Sequence, residues 1–206
     1  CRKIAILSSL ISGHQVDFED IYTEGITQIT KEDMMYAKEM KMTIKLLASS
    51  KRDGDHLHAI VAPALLGNEH PLYSVNGVFN AVFVNGNMLG DAMFYGSGAG
   101  KLPTASAVVA DVVDEAKHLH RNIMTNWSSR DLELMDLDDV EGRFFVRVSD
   151  TTMDEVEKAF GDVQTIEPDN LPEEFGFITP KMKQADYKEK ISKLDGKVLA
   201  MIRVKD

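Results

Sequence analysis

The segment Tyr95-Gly96-Ser97-Gly98-Ala99-Gly100-Lys101-Leu102-Pro103-Thr104 sets the strongest constraint on how this chain folds. Three glycines at alternate positions follow the apolar run Ala92-Met93-Phe94-Tyr95 and lead into a helical pattern that begins near Pro103. Glycine reaches positive φ without a steric penalty and lets another group approach the main chain closely. Proline is well placed in a first helical turn, where its missing N–H is no loss. The order is therefore strand, glycine loop, helix, with first-turn N–H groups that suit an anion or the polar edge of a cofactor. The plainer reading of the same glycines is a tight connection that needs small residues.

Two common phosphate loops do not fit. A Walker A loop needs a glycine where Tyr95 stands and a hydroxyl where Leu102 stands. A dinucleotide fingerprint needs a third glycine where Lys101 stands, at a position of close helix packing. A serine-nucleophile elbow is also excluded, because Gly96 and Ser97 are adjacent with no residue between them.

Around this segment the chain reads as α+β. Helical spacing of Ile4, Leu7, Leu10 and Ile11 predicts a first helix, and Thr30 with Asp33 predicts a capping box that opens a second near residues 31 to 40. Strands over 43–49 and 57–64 are joined across Asp53-Gly54, a hairpin signal. A second hairpin is predicted over 78–84 and 89–95 around Asn85-Gly86-Asn87. The run Val78-Phe79-Asn80-Ala81-Val82-Phe83-Val84 is apolar on both faces apart from Asn80, so both faces require cover, by helices on one side and a partner subunit on the other.

A length of 206 residues allows one domain or two small ones. The net charge of −10 is spread along the chain, which disfavours nucleic acid and anionic membranes as partners. No apolar run approaches the roughly 20 residues of a spanning helix. One cysteine excludes an internal disulfide and fits a reducing compartment, with cytoplasm the default expectation. Cys1 already lies inside the first helical pattern, so a longer chain is expected, with an upstream part that holds a cofactor domain.

Beyond the glycine segment, a wider set of residues carries a family likeness. Arg2-Lys3-Ile4-Ala5-Ile6-Leu7, Tyr22-Thr23-Glu24-Gly25-Ile26, His70-Pro71-Leu72 and Ser74-Val75-Asn76-Gly77 belong to it. So do Val78-Phe79-Asn80-Ala81-Val82, Gly86, Gly90, Phe94-Tyr95-Gly96, Gly98-Ala99-Gly100, Pro103-Thr104-Ala105-Ser106-Ala107-Val108 and Asp111. Together, over residues 1 to 120, they resemble the substrate domain of homoserine dehydrogenase. The resemblance implies an NAD(P)-dependent oxidoreductase that interconverts L-aspartate 4-semialdehyde and L-homoserine, as a homodimer or homotetramer. It implies that Lys3 is the general acid for carbonyl reduction and the base for the reverse oxidation. It further implies that the backbone at Gly100, with Gly98 nearby, lies against the nicotinamide end of NAD(P), which is otherwise bound mainly by the upstream domain. The family's aspartate, one turn before the lysine, would fall before Cys1. Taken without the resemblance, a lysine at this place is a solvated surface charge.

Residues 122 to 142, with Asn126-Trp127-Ser128-Ser129-Arg130 and an acidic stretch, break the periodic pattern. The expected domains are thus 1–122 for substrate, catalysis and dimerisation, 123–142 as linker, and 143–206 as a small unit. In that unit strand, helix, strand, strand, helix and strand follow in turn, with a capping box at Thr152 and Glu155. This βαββαβ order is ferredoxin-like and resembles a short ACT domain. The amino-acid-binding members place Pro and Gly in the first strand-to-helix loop, where this chain has Asp150-Thr151-Thr152-Met153.

An alternative function is a regulatory or assembly module that binds an amino acid through residues 143–206. The Arg2-Lys3 and glycine segments favour the enzyme, since a binding module needs neither. His56 with His58, and His118 with His120, lack a further ligand at metal-site spacing, so no metal is expected and these histidines read as solvated.

Overall fold

A computed structural model describes residues 1–54, 56–124, 127–168, 171, 173–194 and 196–205. Its elements in chain order are α1 (Arg2–Ser12), β1 (His14–Gln15), β2 (Tyr22–Thr23), α2 (Lys31–Glu39), β3 (Thr43–Asp53), β4 (His56–Leu66), β5 (Phe79–Gly86), β6 (Gly90–Ser97) and α3 (Lys101–Lys117). There follow β7 (Ser128–Asp131), a 3-10 turn (Leu137–Asp139), β8 (Glu141–Ser149), α4 (Met153–Phe160), β9 (Gln164–Ile166), β10 (Glu174–Ile178), β11 (Met182–Lys183), α5 (Gln184–Ile191) and β12 (Lys197–Lys205).

Local chemistry sets several of these boundaries. Thr30 accepts from the Asp33 N–H while the Asp33 carboxylate accepts from the Thr30 N–H at 2.8 Å, closing the capping box that starts α2. The same reciprocal pair, Thr152 with Glu155, starts α4. β3 and β4 pair along their whole length, from Thr43 opposite Leu66 to Asp53 opposite His56, and Gly54 turns the corner at φ 59°. Asp55, the other turn residue, lies outside the described residues.

The main sheet is mixed and eight-stranded, in the order β2-β4-β12-β8-β10-β9, with β3 on β4 and β11 on β8. β3 holds one edge of β4. The other edge is shared at different heights by β2, at Ile60 and Val61, and by β12, at Ala64 to Leu66, both parallel to β4. Within the C-terminal part, β12, β8, β10 and β9 form consecutive antiparallel pairs.

β8 alternates its side chains between two cores, as a strand must. Phe144, Val146 and Val148 pack with Val156, Phe160 and Tyr187 of α4 and α5. Phe145 packs on the other side with Tyr36 of α2, Leu65 of β4 and Ile202 of β12. Arg147 shares that second side and is 5% exposed. Its Nη1 lies 3.5 Å from Asp33, 3.6 Å from Glu174 and 3.9 Å from Glu32, and donates to the Thr30 hydroxyl at 3.3 Å. Buried among these groups, the Tyr36 phenol is pushed up in pKa by desolvation and then by the Glu174 carboxylate.

The chain divides into two compact units. One comprises Cys1–Gly67 and Trp127–Asp206, the other Asn68–Asn126. This division runs differently from breaks at 122 and 143. Residues 128–131 form a parallel pair with β1, and residues 143–205 share a sheet with β4 rather than standing apart. The second unit consists of the β5–β6 hairpin and α3 with the turns that lead into them.

Removing one partner of a buried ion cluster costs about 3–5 kcal/mol, because the charges left behind are unpaired. Arg147→Met, which strands Asp33 and Glu174, should lower unfolding stability by about that amount in urea titrations followed by circular dichroism. A change below about 1 kcal/mol would show that the cluster does not hold α2 to β8.

Candidate functional site

α1 is fixed by an unusual inner face. Ile4, Ala5, Ser8 and Ser9 are buried. The Ser9 hydroxyl donates to the Ala5 carbonyl at 2.9 Å and accepts from the Val16 N–H at 3.0 Å, and the Ser8 hydroxyl donates to the Ser50 hydroxyl at 2.8 Å. These bonds set the rotation of the helix. Only Ile4 of the predicted apolar stripe points inward, and Leu7, Leu10 and Ile11 are exposed together with Ile6. Lys3 stands on the exposed side of the first turn, and the Arg2 guanidinium caps the Phe18 ring at 4.5 Å.

The glycine loop lies in the other unit. β5 and β6 pair from Phe79 opposite Ser97 to Gly86 opposite Gly90, and the Phe79 and Tyr95 rings stack at 4.9 Å. Past the strand end, the Gly98 N–H donates to the Val78 carbonyl at 3.1 Å. A Cβ at Gly98 would run into the Asn80 amide, 2.7 Å from its Cγ. Asn80 is the one polar residue of an apolar run, which was the sequence signal of this contact. Gly100 has φ 119° and ψ 153°, a conformation that L side chains rarely adopt, and serves as N-cap of α3 without a side-chain cap. The first intrahelical bond runs from Thr104 N–H to the Gly100 carbonyl at 3.1 Å. Pro103 contributes no N–H, so the N–H groups of Lys101 and Leu102 point out of the helix start. The Gly100 conformation, rare for L side chains, ends in outward N–H groups that suit an anion or another polar acceptor.

The family model for homoserine dehydrogenase matches residues 1–113, more than half of the chain. The chain belongs to the homoserine dehydrogenase family. The homoserine dehydrogenase of Bacillus subtilis (strain 168) is 44% identical over 125 residues, covering 61% of this chain and 29% of that protein. The homoserine dehydrogenase of Neisseria gonorrhoeae is 37% identical over 155 residues, covering 71% of this chain and 36% of its own. Among solved structures, a homoserine dehydrogenase from Thiobacillus denitrificans matches 99% of this chain and 52% of its own, with a TM-score of 0.82 at 28% identity. The S. aureus homoserine dehydrogenase at pH 7.0 matches with a TM-score of 0.77 at 26% identity. The chain thus spans about a third of the curated relatives it matches and about half of the solved chains.

The structure corrects the reading of one histidine. His56 is exposed, but His58, two residues along β4, has its Nε2 enclosed, with no hydrogen-bond partner among the described residues. Burial, and then the cations Lys205, Arg203 and Lys51, push its pKa down from 6.5 to about 4. No local pattern around His58 signals this, because Lys205 and Arg203 come from the far end of the chain. Arg203 also bonds Glu24 at 3.1 Å and Gln184 at 2.9 Å and lies over the Tyr22 ring at 5.3 Å.

A lowered folded-state pKa means that the unfolded chain binds a proton at His58 between pH 6.5 and about 4 while the folded chain does not. Stability from this group is complete above pH 6.5 and is lost as pH falls through that window. His58→Gln should therefore flatten the decline of stability between pH 6.5 and 4 relative to the unaltered protein, in denaturant titrations at each pH. Parallel curves would contradict a neutral, buried imidazole.

Proposed function

We propose that this chain is the substrate-binding and catalytic portion of an NAD(P)-dependent homoserine dehydrogenase, interconverting L-aspartate 4-semialdehyde and L-homoserine. The observation that carries this reading is the glycine loop. Its main chain follows a course suited to glycine, with Asn80 seated where a Gly98 side chain would stand and Gly100 at φ 119°, inside the stretch that the family model matches. NAD(P), when bound, gives or takes the hydride at the substrate carbon. In our reading the nucleotide is held mainly by a domain outside these residues, and the Gly98 and Gly100 backbone meets only its nicotinamide end.

Lys3 handles the proton. As the carbonyl carbon accepts a hydride, negative charge grows on its oxygen, and the Lys3 ammonium Nζ donates a proton there to give the alcohol. In the reverse direction neutral Lys3 takes that proton as the C–H bond breaks. Its exposed place on the first turn of a helix locked by Ser8 and Ser9 keeps the amine accessible while its base stays rigid.

The exposed apolar residues support a homodimer or homotetramer. Ile6, Leu7, Leu10 and Ile11 on α1, and Phe94, Leu102, Val109 and Val112 in the other unit, all face outward. Residues 143–206 are in this reading an ACT-like unit that acts by packing. Its first loop is already committed: Asp150 takes φ 56°, and the Thr151 and Thr152 hydroxyls both engage Glu155. An amino acid bound there would have to break the cap of α4.

In the full-length protein, Lys3→Ala should lower kcat for homoserine oxidation by roughly 10²- to 10⁴-fold, the usual contribution of a general acid or base. The 206-residue chain alone should show no turnover. An unchanged kcat in the variant removes Lys3 from the chemistry, and turnover by the chain alone overturns the assignment of the nucleotide to another domain.

A further inference from the structure

α3 is a helix of 17 residues, Lys101–Lys117, without a buried residue. Its apolar positions nevertheless follow a rule. Leu102, Ala105, Val109, Val112 and Ala116 are separated by alternating steps of three and four, and all five are exposed. Such steps average about 3.5 residues, the repeat that keeps one seam of a helix against a second helix along their common length. Val108 and Val113 border the seam, one on each side, and are also exposed. The seam spans only about two heptads, fewer than a free-standing coiled coil needs. It suits helices that are already held by folded protein behind them.

Charge selects the occupant and its direction, since the positions bordering a seam set partner and orientation. On one side these are Lys101, Val108 and Glu115, and on the other Ser106 and Val113. A second copy can lie antiparallel, with Leu102 against Val112 of the second copy and Ala105 against Val109 of the second copy. That register brings Lys101 opposite Glu115 of the second copy, and the twofold axis repeats the pair. Val108 meets its own counterpart near the axis, as does Ser106. A parallel pair would instead set Lys101 against Ser106 and leave Glu115 facing past the helix end. Neither the Lys101 nor the Glu115 side chain has an ion pair among the described residues, so both are available to a second copy.

We propose that α3 is a self-association helix, pairing antiparallel with α3 of a second copy through Leu102, Ala105, Val109 and Val112, with Lys101 and Glu115 bridging the two copies. The inference rests on the homodimer reading and names the surface that forms it. The antiparallel order places the two Gly100 loops at opposite ends of the helix pair.

The test is sedimentation equilibrium of the 206-residue protein and three variants, Lys101→Glu, Glu115→Lys and the double reversal. Each single reversal turns two attractive pairs into two repulsive ones, and should weaken dimerisation roughly tenfold or more. The double reversal restores opposite charges across the seam and should return the affinity to that of the unaltered protein. A dimer equally tight in all four proteins overturns the seam and leaves the homodimer reading standing. Single reversals that weaken the dimer without rescue by the double variant overturn the antiparallel pairing, and with it the proposal. An unaltered protein that is monomeric at micromolar concentration overturns both the seam and the homodimer reading.

Discussion

The rest of the first unit depends on β12 pairing in parallel with β4. The contact is short, from Arg203 opposite Ala64 to Lys205 opposite Leu66, but it joins the last strand of the chain to a strand near its start. Leu65 and Leu66 are fully enclosed at that junction. Hydrogen bonds of the ladder are worth little each in net terms, whereas a buried strand edge without a partner is expensive. Arg203 adds a second tie beside the ladder, reaching Glu24 just past β2. Without this pairing, the antiparallel sheet of β12, β8, β10 and β9 would lose its continuity with the helix that carries Lys3.

The two units handle apolar surface in opposite ways. The first closes three apolar clusters around its sheet and spends a buried arginine on joining α2 to β8. The second leaves α3 exposed along its whole length, and Phe94 and Met88 are 70% and 93% exposed. A hairpin and one helix cannot bury a sheet that is apolar on both faces.

What the sequence made legible was local. The capping boxes at Thr30 and Thr152, the Asp53-Gly54 corner and the strand-to-helix passage through Gly100 depend on a few neighbouring residues, and each is found as the residues imply. The βαββαβ order was legible for the same reason. What was hidden depends on pairing at long range. β2 and β7 are too short for periodicity, and the β12–β4 junction has no local signal. The helix α1 was legible from its spacing, but its buried face was not, because Ser8 and Ser9 stand there, satisfied by bonds to Ser50 and Val16 that no spacing rule foresees. His58 was misread for a related reason, since its burial comes from segments over 70 residues away.

In the proposed function the main chain at Gly98 and Gly100 meets the nicotinamide end of the cofactor. This contact is tested most directly by following the amide resonances of these two glycines in the full-length protein as NADP⁺ is added to saturation. Both amides should move with the binding isotherm, and a cofactor fragment lacking nicotinamide should leave them in place. If NADP⁺ saturates the protein while both amides stay where they were, the glycine loop is a structural turn and the claim fails.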